Sequence, residues 1–156
     1  MTETSRAIAN QPAERKVIKF VQGFAGWKCS PYGPSTDDPI WGMLADVKPR
    51  SVLRWFPDLI ATNGKEACLI EVKSTKAGNH NWAIEKMSLK VAMQLNNFFG
   101  IRIVYAFVDS GGQIEQLIDY TDLAQLPKRT GPPPRRGSGT PYWLMKRPKV
   151  VDEFTF

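Results

Sequence analysis

Between Phe56 and Lys73 two apolar runs flank Asn63-Gly64, and that dipeptide restricts what the chain can fold into more than any other feature. Asn-Gly supplies the positive φ that a two-residue type I′ turn needs at both central positions, so the stretch reads as a β-hairpin. With Thr62 facing Lys65 across that turn, Asp58 falls opposite Leu69. Alternation of side chains then places Asp58, Leu69, Glu71 and Lys73 on one face. The other face carries Leu59, Cys68, Ile70 and Val72, which is ordinary core material. Two acids and an amine therefore gather where a sheet would normally bury something apolar. Unpaired charges are costly there, and groups kept in such places commonly bind a metal or a substrate. An exposed hairpin with a solvated salt bridge from Glu71 to Lys73 or Asp58 is the plainer alternative.

Diagonal neighbours such as Asp58 and Glu71 sit roughly 7 to 8 Å apart at the backbone, within reach of two carboxylates meeting at one ion. Hard oxygen ligands suit Mg²⁺ or Mn²⁺, which keep several waters and also bind phosphate oxygens. Such an ion makes a water more acidic, and the Lys73 ammonium could orient that water or stabilise charge on phosphorus.

Pro57-Asp58 followed by Glu71-Val72-Lys73 resembles the PD-(D/E)xK nuclease superfamily, whose signature is this pair of elements on adjacent strands. The resemblance implies a restriction-endonuclease-like α/β fold, a mixed β-sheet core flanked by helices. It implies that Asp58 and Glu71 ligate Mg²⁺ or Mn²⁺, that Val72 offers its backbone carbonyl, and that Lys73 is catalytic. The layout is similar to that of the archaeal-type Holliday-junction resolvases, in which an N-terminal helix adds a Glu to the metal site. Glu14, in Ala13-Glu14-Arg15, would hold that place, although an acid in a first helical turn also complements the helix dipole. Many superfamily members point a Lys or Gln from the helix after the motif at the phosphate, which would make Gln94 catalytic here and set Lys86 and Lys90 beside DNA. The same four-residue spacing also describes a solvated helix stripe. The function implied is a metal-dependent endodeoxyribonuclease acting on branched DNA, as a homodimer with one site per subunit. A repair or restriction-type nuclease and a non-catalytic DNA-binding module stay open.

Along the chain, residues 1–10 are polar and expected to be disordered, and 11–126 make up the nuclease domain. A helix is expected from Gln11-Pro12, with Ala13, Val17, Phe20, Val21 and Phe24 as its apolar stripe. A strand follows at 27–30. Prolines then break up 31–54, where a short helix over 40–47 is possible, Asp37 and Asp38 suggest a turn or cap, and Arg54 could contact phosphate. The only histidine, His80, lies in a polar loop. A helix over 83–99 is expected to bury Ile84, Met87, Val91, Leu95 and Phe98, with Gly100 as its stop. The β-branched run 101–108 reads as a central strand parallel to that of Glu71 through a right-handed crossover. A further strand is expected at 114–118 and a helical turn at 121–126.

Of the chain's 21 basic residues, seven lie between Pro127 and Lys149 without a single acid, so the formal charge of +6 resides in this segment. Six of the 12 prolines lie there as well. The 127–156 extension is thus expected to be extended and basic, with Arg135, Arg136 and Trp143 contacting DNA and a final strand over 150–156. Cys29 and Cys68 lack metal-ligand spacing and read as reduced structural residues. No apolar run is long enough to span a bilayer and the start lacks a signal-peptide core, so a soluble, cytoplasmic protein is expected in a bacterial, archaeal or phage-infected cell.

Overall fold

The computed structural model describes residues 3–32, 43, 55–75, 81–131 and 141–147, with side chains from Pro12 onward. The final strand at 150–156 and, apart from the helical Met43, the possible helix at 40–47 fall outside these residues, as do Asp37, Asp38, Arg54, His80, Arg135 and Arg136.

In chain order the elements are α1 (Glu3–Gln22), β1 (Lys28–Pro31), β2 (Leu59–Thr62), β3 (Ala67–Ser74), β4 (Asn81–Glu85), α2 (Lys86–Phe99), β5 (Arg102–Val108), β6 (Ile114–Asp119), the single turn α3 (Tyr120–Leu123), β7 (Lys128–Thr130) and β8 (Tyr142–Lys146). β1, β2, β3, β5 and β6 lie in that order in one sheet, antiparallel except for the parallel β3–β5 pair. Helices lie on its faces, so the architecture is the expected mixed α/β core. A second sheet has the order β4-β8-β7.

Each face of the main sheet is one core. On the first, Ala13, Val17 and Val21 of α1 pack against Leu59, Ala61, Cys68, Ile70, Val72, Val104 and Ala106. Phe20 of the expected stripe is 38% exposed and instead meets Phe24 edge to face at 5.3 Å. On the second, α2 and the smaller sheet cover Leu69, Ile103, Tyr105 and Phe107, with Trp82 stacked on Phe107 at 3.9 Å. Both cysteines are free and buried. No described helix is long and apolar enough to cross a membrane.

Four expectations are corrected. α1 begins at Glu3, so residues 3–10 are helical rather than disordered; Pro12 lies inside the helix, and the residues before it include good formers such as Glu3, Arg6 and Ala7. The Asn-Gly turn is not a two-residue loop. Thr62 pairs with Ala67, leaving a four-residue connection in which Asn63 Oδ1 accepts from the amides of Lys65 and Glu66, and Gly64 has φ 88°. An Asn that bonds the loop's own amides has no need of positive φ, so the register moves by two and the face assignment survives.

The helix expected from Ala83 starts only at Lys86, because Trp82 and Ile84 alternate into the core as strand residues. Its buried side is accordingly Ser88, Leu89, Val91, Ala92 and Leu95, whereas Phe98 is 77% exposed. The 127–156 segment is not a separate extension throughout: β8 is the central strand of the second sheet and Met145 is fully buried in the second core.

Candidate active site

The site forms where β2 is shorter than β3. Leu59 pairs with Ile70 as the last rung, so β3 continues past β2 for Glu71, Val72 and Lys73. Asp58, just before β2, fills the gap: its Oδ2 accepts the Val72 amide at 2.8 Å, and its backbone carbonyl accepts the Tyr32 amide. The N–H and C=O of one strand residue point the same way, so the Val72 carbonyl faces this gap as well. Asp58 and Glu71 are thus nearer to direct neighbours than the two-residue turn had placed them.

Glu71 and Lys73 point to the second core, beside Tyr105 and Phe107 in the parallel register. The Lys73 Nζ lies 2.7 Å from Glu71 Oε1 and 2.7 Å from Glu85 Oε2, clamped between two carboxylates. Ser88 of α2 bonds the Tyr105 hydroxyl at 3.1 Å and stands 3.5 Å from Glu71 Oε1, a longer polar contact that limits how Glu71 can turn. Glu71 is only 8% exposed.

Burial dominates the electrostatics. Desolvation pushes Glu71 up to about 8, with Asp58 adding to the rise and Lys73 opposing it. Desolvation likewise pushes Asp58 up to about 7, against the Val72 amide and Lys73 and helped by Glu14. Glu14 is raised by burial and by Glu71, so its carboxyl belongs to the same cluster. Burial alone would lower Lys73, but Glu71 and Glu85 outweigh it and hold the ammonium well above its usual value. Were all its carboxyls ionised, the cluster would carry more negative charge than one ammonium neutralises, so without a cation burial favours the protonated acids.

That excess, on hard oxygen donors, fits a divalent cation of the Mg²⁺ kind. Asp58, Glu71 and the Val72 carbonyl are the groups that would hold it, with Glu14 adjacent. Among the described residues no three His, Cys, Asp or Glu side chains stand close enough to cage an ion by themselves. Two carboxylates and a carbonyl leave the remaining positions to water or phosphate, as Mg²⁺ prefers.

Sequence reasoning brought together Asp58, Glu71, Val72, Lys73 and Glu14. It missed Glu85, Ser88 and Tyr105. The signal for Glu85 was the alternation in Asn81-Trp82-Ala83-Ile84-Glu85, which marks a strand delivering its last residue to the site. The row of Lys86, Lys90 and Gln94 lies elsewhere. At 100° per residue Lys86 and Lys90 lie about 160° from Ser88, whereas half-buried Gln94 lies about 120° away on a flank of α2, so none of the three shares the face on which Ser88 meets Glu71. Lys86 Nζ instead sits 4.0 Å above the Trp143 ring and bonds Thr130 Oγ1, while Lys90 is exposed. Trp143 packs against the second core beneath that lysine rather than offering a free ring.

No protein family matches the chain in sequence, and no curated protein does. Among solved structures the chain is similar to a Holliday junction resolvase from the archaeal hyperthermophile Archaeoglobus fulgidus. The match has a TM-score of 0.53 at 13% identity, and covers 88% of this chain and 84% of that one. At that identity the likeness concerns the fold alone, a mixed α/β sheet flanked by helices.

Proposed function

We propose that this chain is a Mg²⁺- or Mn²⁺-dependent endodeoxyribonuclease that cuts branched DNA in the manner of a Holliday-junction resolvase. The observation that carries this reading is the gathering of buried Glu71 with half-buried Asp58 and Glu14 around the end of β2, each carboxyl raised by desolvation and so poised to exchange its proton for a cation, with Lys73 beside them. A fold shared with a junction resolvase supports the choice of DNA as substrate.

When bound by Asp58, Glu71 and the Val72 carbonyl, the ion would supply a more acidic water and a counter-charge for the phosphate. The protein's own groups do the positioning. Asp58 is fixed by the Val72 amide, and Glu71 by Lys73 and by Ser88, which Tyr105 holds in turn. Lys73 stays protonated between Glu71 and Glu85 and presents its ammonium to the attacking water or to the charge that develops on phosphorus. Electrostatic groups of this sort contribute about 3 to 4 kcal/mol each when fixed in place. No covalent intermediate is involved.

Junction cutting requires paired incisions, hence a two-fold dimer. Phe98 and Phe99, 77% and 74% exposed at the end of α2, are an apolar pair that such an interface would cover.

The test is cleavage of labelled four-way junction, flap, duplex and single-stranded DNA with Mg²⁺ or Mn²⁺, comparing the natural chain with Glu71→Gln. Symmetric nicking of the junction, lost in the variant, supports the reading. Indiscriminate cutting keeps the nuclease and removes the junction preference. Metal-independent binding without cleavage overturns the enzyme.

A further inference from the structure

The smaller sheet has one face in the second core and an opposite face that is partly open, with Ala83, Arg129 and Lys146 exposed and Tyr142 and Leu144 half-buried. Cross-strand partners share a face, so the ladder assigns both. Trp82, Ile84, Trp143 and Met145 point inward. Asn81, Ala83, Leu144, Lys146 and Arg129 point outward, through the pairs Asn81–Lys146, Ala83–Leu144 and Arg129–Leu144. Arg129 and Lys146 are exposed, and no described acid lies between them. At the corner nearest the catalytic cluster, Glu85 pairs with Tyr142, and Glu85 is the residue that reaches Lys73. Tyr142 lies over Gly131, whose amide bonds the Tyr142 carbonyl; a Cβ at Gly131 would collide with the ring, so glycine is what seats the ring on the ribbon.

We infer that this outer face, from Tyr142 through Leu144 to Arg129 and Lys146, is the track along which one arm of the DNA substrate leaves the active site. The inference rests on the nuclease reading above and adds the direction in which the substrate lies. Three features favour a nucleic-acid strand as the occupant. Two exposed cations, neither ion-paired to a described residue, adjoin the apolar Leu144, as backbone phosphates and sugars require. An aromatic ring stands at the end nearest the scissile position, where a base in branched DNA loses its stacking partner. The track is also continuous with the cluster, because β4 ends in the residue that clamps Lys73. From Tyr142 to Lys146 the strand runs about 13 Å at the usual rise, enough for several nucleotides. Trp143, the other aromatic of the segment, cannot serve, being inside and capped by Lys86.

Binding is measured by fluorescence anisotropy of a labelled four-way junction over a range of salt concentrations, with EDTA to prevent cleavage. Arg129→Gln with Lys146→Gln is compared with Lys28→Gln and Lys65→Gln, which remove the same charge from exposed positions away from this face. Each lost phosphate contact lowers the slope of log affinity against log salt by about 0.9. The track variant is expected to lose about 1.8 and the control nearly nothing. Tyr142→Leu is expected to weaken junction binding about tenfold, with Tyr142→Phe restoring it. Equal slopes for track and control variants, with natural binding intact, overturn the track and leave the nuclease. A natural chain that neither binds nor cuts DNA overturns both. Unchanged thermal midpoints in the double variant exclude misfolding as the cause of a loss.

Discussion

In metal-free protein at pH 7, Glu71→Gln should stabilise the fold while abolishing cleavage. Burial raises this carboxyl from an ordinary 4.5 to about 8, so folding keeps it protonated at a pH where the unfolded chain ionises it. The sign follows from linkage: a raised acid contributes stability below its unfolded value, and that contribution is lost as pH climbs through the folded value. Each pH unit between 4.5 and 7 is worth about 1.36 kcal/mol, so the site disfavours folding by roughly 3 kcal/mol at neutral pH. Glutamine is neutral and nearly the same shape, and Lys73 keeps Glu85 as its partner. Allowing for the lost Lys73 contact, about 1 to 3 kcal/mol of stabilisation should remain, or a rise in midpoint of roughly 2 to 10 °C for a chain of this size. The assay is thermal unfolding in EDTA from pH 5 to 9. The natural chain should lose stability as pH rises to about 8, and the variant should lose less. Added Mg²⁺ should raise the midpoint of the natural chain only. A variant destabilised by several degrees in EDTA would refute the reasoning, because Glu71 would then be a stabilising ion-pair partner rather than a strained ligand.

Other outcomes follow from the same contacts. Asp58→Asn should keep the Val72 amide bonded and, since burial raises this carboxyl to about 7, should raise the midpoint in EDTA at pH 7 as Glu71→Gln does, whereas Asp58→Ala should cost about 1 to 3 kcal/mol relative to Asp58→Asn for the orphaned amide; both should abolish cleavage in the panel assay. Ser88→Ala should destabilise by about 1 to 3 kcal/mol through the unpaired Tyr105 hydroxyl, and adding Tyr105→Phe should recover most of it, which a double-mutant cycle in urea would measure. Lys73→Met should reduce the cleavage rate at least a hundredfold with little change in junction affinity, and a parallel loss of both would place Lys73 in binding rather than in the reaction. Phe98→Asp with Phe99→Asp should shift sedimentation of the DNA complex from dimer to monomer; an unchanged mass would locate the dimer contact elsewhere.

What was legible in the sequence was everything that depends on parity. Leu59, Cys68, Ile70 and Val72 take one face, and Glu71 and Lys73 the other, because side chains alternate along a strand whatever the turn does. The move from a two-residue to a four-residue connection shifted the register by an even number, so the acids stayed on their face while Asp58 moved closer to Glu71. The long apolar run of β5 was equally local in origin, and its parallel partnership with β3 followed from the handedness of the crossover that joins them. The remainder depended on residues far apart in the chain. Glu85 clamps Lys73 from 12 positions away, Ser88 reaches Glu71 across 17, and β8 joins β4 from some 60 residues on. No periodicity within one segment encodes which segment will pack against it. The sequence by itself therefore determined which side chains share a face and which acids gather at the candidate site. Only the tertiary structure decided how far those acids are desolvated, which neighbour holds the lysine, and which aromatic of the basic segment faces outward. Those outcomes depend on burial and strand pairing, which arise only once distant segments meet.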